Sequence, residues 1–302
     1  MKAGGREIDV SNRDKVFFPD SGLTKGDLLD YYRGVADVMV PHMKYYGVSM
    51  QRFPDGIEEE GFYQKDSSDY FPDWIATKTI PRKEGGSYSA PVVDSPAALV
   101  YLADQAVVTP HLYLSRINDL KHPDRMIYDL DPPEGTGDAG AVRRAALDLR
   151  EVLRELDITA FVQTTGSQGY HLVVPLDRSW GFDEVRDFAR GTAEVLVRKK
   201  GRKYTLENRK DRRKGRVFLD TLRNSYGATA VAPYGVRALP GAPVATPISW
   251  KELEEGASPR DWTVENLPNR LAALEDPWKN IRRHGISLKT RKKKLEELTE
   301  NE

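Results

Sequence analysis

Residues Arg125 to Gly135 read "RMIYDLDPPEG", an apolar run that ends in two acids one residue apart and is then stopped by two prolines. In a strand successive side chains alternate faces, so Asp129 and Asp131 point one way while Tyr128 and Leu130 point the other. Side-by-side carboxylates repel. A divalent cation removes that repulsion, and hard oxygen ligands suit magnesium or manganese. A strand that simply ends in a polar turn accounts for the same string, because Asp and Pro are common turn residues. The surrounding chain has to separate the two readings.

Directly after the prolines, "DAGAVRRAALDLREVLRELD" carries apolar residues at helical spacing. "ITAFVQTTGSQGYHLVVPL" follows, with two apolar stretches joined by a Gly-rich turn, which is a hairpin pattern. "FDEVRDFARGTAEVLVRKK" reads as another helix, and "GRVFLDTL" as a short strand with Phe218 and Asp220 on one face. The order strand, helix, strand, strand, helix, strand predicts a mixed α/β (α+β) core built on an antiparallel sheet. Upstream, "LTKGDLLDYYRGVADVMVPHM" predicts a helix with Thr24 as N-cap, apolar positions from Leu28 to Met39, and Pro41 as its end. After Asp220, "RNSYGATAVAPYGVRALPGAPVATPISW" is rich in Gly, Ala, Pro and Ser and reads as a long wrap over the core. "SLKTRKKKLEELTENE" closes the chain as a charged helix or tail. With no internal repeat, low-complexity linker or sustained heptad pattern, one integrated globule is expected.

The chain has 302 residues and no cysteine, so the core is large enough to need no staple, and disulfides, thiolate metal sites and cysteine nucleophiles are excluded. No run approaches the roughly 18 apolar residues of a membrane span, and the N-terminus lacks an apolar signal core. A soluble, cytoplasmic protein is expected. The 46 basic and 46 acidic residues balance, yet they are unevenly placed. "RKKGRKYTLENRKDRRKGR", from Arg198 to Arg216, holds eleven basic residues against Glu207 and Asp211. Such a block favours phosphate, or is a solvated helix end and loop.

Asp129, Asp131 and Asp220 each sit on a short apolar strand, and three acids around a pair of cations are what two-metal phosphoryl transfer requires. In "TTGSQGYH", Gly166 and Gly169 let backbone N–H groups approach an anion, with Thr165 and Ser167 as added hydroxyl donors. The Gly-Lys-Ser/Thr ending of a Walker loop is missing, and a good hairpin turn accounts for the same residues. His171 opens the outgoing strand and His111 sits in "VVTPHLYLSR". Arg116, Arg223 and Arg237 can hold phosphate bidentately or form surface ion pairs. In "GFYQKDSSDYFPDW", Phe62, Tyr63 and their neighbouring rings beside Lys65 suit stacking on unpaired bases, or burial in a core. Lys15 and Lys25 flank the first helix's start and can take a terminal phosphate.

"MIYDLDPPEG", "TTGSQGYHLVVPL", "RVFLDTLRNSYGATAVAPYGVRALPGAPVATPISWKEL" and "VENLPNRLAALEDPWKNI" together resemble the polymerase module of bacterial-type ligase D, a member of the archaeo-eukaryotic primase superfamily. The likeness runs from about Arg6 to Ile281 in the same motif order. It implies a primase-type polymerase core with an RRM-like antiparallel sheet and a packed N-terminal lobe. A single domain over 1–281 is expected, with the lobe at about 1–120, the core at about 121–281 and a charged tail at 282–302. The implied activity is a nucleotidyl transferase of non-homologous end joining that fills gaps and extends 3′ ends, preferring ribonucleoside triphosphates. By the same resemblance Asp129, Asp131 and Asp220 bind two Mn²⁺ or Mg²⁺ ions. His111, Thr165, Ser167, His171, Arg223 and Arg237 hold the nucleotide. Phe62 and Tyr63 stack on template bases near the break, and Lys15 and Lys25 take the 5′-phosphate of the downstream strand; Lys65, beside the two rings, is expected to bind DNA with them.

Three positions depart from that pattern: Thr165 where Ser is usual, Tyr63 where Phe is frequent, and Gln168 in place of a Lys or Arg. The last removes a charge near the phosphates. No self-adenylating lysine motif of a ligase is present, so a stand-alone polymerase or a module of a larger protein is expected. An ATP-dependent DNA ligase and a Ku-type end-binding protein are its expected partners, at the nucleoid. The alternatives are a non-catalytic DNA-end-binding factor and a haloacid-dehalogenase-like phosphatase. The latter's Asp-x-Asp motif continues with Thr or Val, where this chain has Pro132 and Pro133.

Overall fold

The Arg125–Asp131 strand lies near the centre of a six-stranded sheet in a computed structural model that describes residues 1–300. The chain divides into two compact units. One comprises Met1–Leu120, Thr229–Thr246 and Trp262–Glu275; the other comprises Lys121–Ala228, Pro247–Asp261 and the chain from Asp276 onward.

In the second unit the expected order is realised: the Arg125–Asp131 strand, the Ala139–Glu155 helix, the Phe161–Thr164 and Tyr170–Pro175 hairpin, the Phe182–Lys200 helix and the Val217–Asp220 strand. Across the sheet the strands run Tyr204–Thr205, Val217–Asp220, Arg125–Asp131, Tyr170–Pro175, Phe161–Thr164, Pro247–Ile248. All pairs are antiparallel except the first, which is parallel. Asp138 caps the first helix by accepting from the Ala141 N–H, 2.8 Å away. That helix buries Val142, Ala145, Ala146, Leu149, Val152 and Leu153, a stripe at the helical period. The Phe182–Lys200 helix lies against the Arg125–Asp131 strand, and Tyr128 is fully buried. The face bearing Tyr128 and Leu130 is therefore core, and the face bearing Asp129 and Asp131 is its opposite.

In the first unit the Lys25–Met43 helix begins with a capping box in which Thr24 and Asp27 satisfy each other's backbone N–H groups. Pro41 does not end this helix, contrary to the expectation from its sequence; the helix continues to Met43. A proline in the last turn forfeits a single intrahelical bond, and the Lys44 N–H still reaches the Val40 carbonyl at 3.0 Å. The sheet here is ordered Thr229–Val231, Val107–Tyr113, Val48–Arg52, Phe62–Gln64. Val48, Met50, Val108 and Leu112 pack with Leu28, Leu29, Tyr32 and Met39 of the helix. Ser49, Thr109 and His111 fall on the other face.

The Gly/Ala/Pro-rich segment after Asp220, expected as a wrap over the core, supplies one edge strand to each unit: Thr229–Val231 to the first and Pro247–Ile248 to the second. The charged C-terminal stretch is helical over Lys289–Glu300. No helix of the described residues is long and apolar enough to cross a membrane.

Candidate active site

Sheet register gathers the acids. Asp129 pairs directly with Asp220 and Asp131 with Phe218, so Asp129 and Asp220 sit on one face with backbones about 5 Å apart, and Asp131 joins them two residues on. On its other side Asp129 pairs with His171. His171 Nε2 lies 3.5 Å from Asp129 Oδ1, and Arg223 Nε donates to Asp129 Oδ2 at 2.9 Å. Burial alone would raise the Asp129 carboxyl; His171 and Arg223 overturn that and hold it well below the usual carboxylate range. Asp131 has no such partner. Burial, then the charge of Asp129, and also that of Asp220, push it up to about 6, against the opposing pull of Arg213 and Arg223. Asp220 is raised as well, by burial first and by Asp129, although it accepts the Leu222 N–H at 2.7 Å.

Three half-buried or buried carboxylates that raise one another's proton affinity form a hard, anionic donor set, and that set fits a divalent cation. Among the described residues no three acids or histidines are closed around a single point as they stand. Asp129 instead turns one oxygen to Arg223 and the other towards His171.

Local structure explains why the acids stand where they do. The Val217–Asp220 strand ends at Asp220, and Asn224 then turns back to continue the ladder with its side chain. Its Oδ1 accepts from the Ile127 N–H at 2.8 Å, and its Nδ2 donates to the Ile127 carbonyl at 2.7 Å and the Thr221 carbonyl at 2.9 Å. The amide thus stands in for a missing strand partner two residues before Asp129. In the hairpin turn Gly166 has φ +65°, and a Cβ on Gly169 would lie 1.9 Å from the Leu130 carbonyl oxygen. Only glycine lets the turn close against the Asp129 strand.

The Thr165 hydroxyl, expected as a phosphate ligand, is committed to that turn. It donates to the Gly169 carbonyl at 3.1 Å and accepts the Ser167 and Gly169 N–H groups at 3.2 Å each. Ser167 is half-buried, and its carbonyl accepts from Arg260 at 3.0 Å. Gln168 is exposed. Asp129, Asp131, Asp220, Thr165, Ser167, His171 and Arg223 all belong to the second unit.

The first unit carries the others. His111 is buried and meets Tyr63 edge-on, with ring centroids 5.5 Å apart. Phe62 and Tyr63 are 45% and 60% exposed, far more than rings of a core, and Arg52 lies 5.6 Å over Phe62. Lys65 is exposed, 6.0 Å over the Tyr113 ring. Arg237 is half-buried, its N–H on the Pro243 carbonyl at 2.7 Å. Lys15 pairs at the surface with Asp55 at 2.5 Å. Lys25, the other expected phosphate ligand, has a different setting. It is buried, 2.7 Å from Asp104 and 3.2 Å from the Ser11 hydroxyl, so a phosphate there would share the charge with a carboxylate.

Sequence reasoning missed Asn224, whose role depends on register, and Arg213. The latter is buried with its guanidinium 4.0 Å over Phe218. Its neighbours in the basic block gave no sign of this. Lys199 and Lys200 are taken up by Glu155 and Asp148 at 2.7 Å each.

A split β-α-β-β-α-β sheet with three acids on its open face defines a polymerase of the primase type as the class to compare. The family model described as "LigD, primase-polymerase domain" matches residues 24–278, and the chain belongs to that family. It is 32% identical over 279 residues to the multifunctional non-homologous end joining protein LigD of Pseudomonas aeruginosa, covering 92% of this chain and 33% of that protein. It is 28% identical over 266 residues to the bifunctional LigD of Bacillus subtilis, covering 88% of this chain and 42% of that protein. Among solved structures it resembles the polymerase domain of Mycobacterium tuberculosis ligase D in complex with DNA, with TM-score 0.85 and 28% identity, covering 92% of this chain and 99% of that one. The mixed α/β primase-type fold is thereby shown, and the phosphatase alternative is set aside. The chain spans about a third of the length of the Pseudomonas relative.

Proposed function

We propose that the protein is a nucleotidyl transferase that fills gaps and extends 3′ ends at broken DNA, preferring ribonucleoside triphosphates, as the polymerase step of non-homologous end joining. The observation that carries this reading is the register that sets Asp129 opposite Asp220, with Asp131 on the same face. In the reaction the primer 3′-oxygen forms a bond to the α-phosphorus as the bond from that phosphorus to the bridging oxygen breaks, and pyrophosphate leaves.

Asp129, Asp131 and Asp220 would hold two divalent cations, Mn²⁺ or Mg²⁺, whose chemistry is to lower the pKa of the attacking hydroxyl and neutralise the departing pyrophosphate. Arg223 and His171 favour the ionised form of Asp129. With Ser167, they offer donors to the triphosphate, and His111 and Arg237 are assigned to nucleotide binding as well. Thr165 serves it indirectly, by shaping the turn. The exposed rings of Phe62 and Tyr63 stack on template bases, with Lys65 beside them. Lys15 and Lys25 take the 5′-phosphate that marks a gap. One polymerase domain spans 1–281, working at the nucleoid with a Ku-type protein and an ATP-dependent ligase.

The test is primer extension on a short gapped duplex bearing a 5′-phosphate, with each ribonucleotide against its deoxy counterpart, in Mg²⁺ and in Mn²⁺. Templated addition that favours ribonucleotides is expected, and Asp129→Ala should abolish it while DNA binding persists. DNA binding without addition in either metal would favour a non-catalytic end-binding factor.

A further inference from the structure

One row of side chains crosses the six-stranded sheet of the second unit. Register pairs Asp220 with Asp129, Asp129 with His171, His171 with Gln163, and Gln163 with Pro247. Directly opposed residues share a face, so the Gln163 carboxamide stands on the same face as the acids, one strand beyond His171. With strands spaced about 4.8 Å apart, it lies about 10 Å along the row from Asp129.

Gln163 is 1% exposed, and its amide nitrogen meets no acceptor in the protein. A buried donor left in that condition costs stability, and an apolar residue of the same length would avoid the cost. The row offers it little. Pro247 presents an apolar ring, and His171 directs Nε2 towards Asp129. Asn224 shows what a structural amide does in the same unit: it is equally buried, and both ends of its carboxamide are bonded to backbone. Gln163 is therefore not a strut. Along the row, moreover, polar character changes in order from two carboxylates through an imidazole to a neutral N–H donor. An anionic group meets least repulsion at the Gln163 end.

We propose that Gln163 is a further nucleotide-contacting residue, its amide N–H donating to a phosphate oxygen of the nucleoside triphosphate beyond the reach of His171. The proposal rests on the polymerase reading and extends its phosphate subsite by one strand. It also supplies a neutral donor in a site whose turn carries Gln168 in place of a cation.

The experiment is steady-state extension on the gapped duplex with Gln163→Met and Gln163→Glu. Met keeps the length and removes the polar end; Glu sets an anion against the phosphate. For Gln163→Met the nucleotide KM should rise about tenfold, the loss expected of one hydrogen bond to a charged group, with kcat changing less. The rise should be equal for ribo- and deoxynucleotides. Gapped-DNA affinity should match wild type, and the melting temperature should be equal or higher. Gln163→Glu should raise KM further. Unchanged KM in an active Gln163→Met protein would overturn the assignment. So would a rise confined to ribonucleotides, which would place the contact on the sugar, or a drop in melting temperature, which would make Gln163 structural. A wild-type protein that extends no primer would refute the polymerase reading and this inference with it.

Discussion

Asp131 is the acid whose charge the fold tolerates least, and replacing it should make the metal-free protein more stable. Its carboxyl is raised from 3.8 to about 6, first by burial and then by the neighbouring charge of Asp129. At about 1.36 kcal/mol per pH unit, a rise of about two units sets a ceiling near 3 kcal/mol on the cost of ionising it in the folded state. Because the side chain keeps some contact with solvent, about 1–2 kcal/mol is the working figure. The sign follows from the direction. The folded state holds this proton to higher pH than the unfolded chain, so the stabilising contribution is complete below about pH 4 and is lost as pH rises through about 6. Asp131→Asn keeps the shape and removes the titration. In EDTA at about pH 7.5 the variant should melt above wild type by about 2–4 °C, and the two curves should converge near pH 4. Taking the difference between the two proteins cancels the titrations of groups too far from Asp131 to feel its charge. Added Mn²⁺ should raise the wild-type melting temperature at about pH 7.5 and leave the variant's nearly unchanged, because a cation relieves the repulsion that the substitution has already removed. The reasoning is refuted if Asp131→Asn melts below wild type at neutral pH, or if the gap between them does not change with pH.

Arg223→Met leaves the buried Asp129 carboxylate with His171 alone, and urea denaturation at neutral pH should show a loss of about 2–4 kcal/mol. The pairing that this variant removes is worth less as pH falls through the depressed Asp129 titration, so its deficit should shrink in acid. Asn224→Leu strands the Ile127 N–H and C=O, and the same measurement should give about 2–4 kcal/mol. Extension should be lost along with it, because the Asp129 strand has lost its clamp. Lys25→Met should destabilise by about 1–3 kcal/mol by removing the cation paired with the Asp104 carboxylate, which keeps only the Ser11 N–H and the Gln105 amide, whereas Lys15→Met, breaking a surface pair, should stay within about 0.5 kcal/mol. If both lysines serve the 5′-phosphate, both variants should lose preference for phosphorylated gaps. An unchanged preference in Lys25→Met would leave that lysine a structural role alone.

The second unit was legible because its signals are local. A Gly-rich turn, helical spacing and alternating strands sit within short windows, and parity puts Asp129 and Asp131 on a common face, to which register then adds Asp220. What escaped depends on register. Nothing in "DTLRNSY" says that Asn224 will bond both polar groups of Ile127, since the pairing partner is 97 residues away. Gln163 reads as one more polar residue in a hairpin until His171 and Asp129 are aligned beside it. The bonds of the Thr165 hydroxyl to Ser167 and Gly169 likewise depend on how the turn closes, which the string alone does not say. Pro41 misled for a simpler reason: within the last helical turn, the bond that proline removes is one the helix is about to lose anyway.

The basic block shows most clearly how a charge count and a charge's effect come apart. Eleven basic residues in nineteen positions suggest a surface for polyanions, yet Lys199 and Lys200 are matched by acids of the preceding helix. Arg213 points inward, stacks on Phe218 and donates to the carbonyls of Glu207 at 3.2 Å and Asn208 at 3.2 Å. Phe218 pairs with Asp131, and the Arg213 charge lowers the proton affinity of both Asp131 and Asp220. Together with Arg223 on the other flank, it supplies the positive field in which three carboxylates can be folded onto one sheet face. Without such a field, the mutual repulsion that prepares the acids for a cation would act against forming the sheet that holds them.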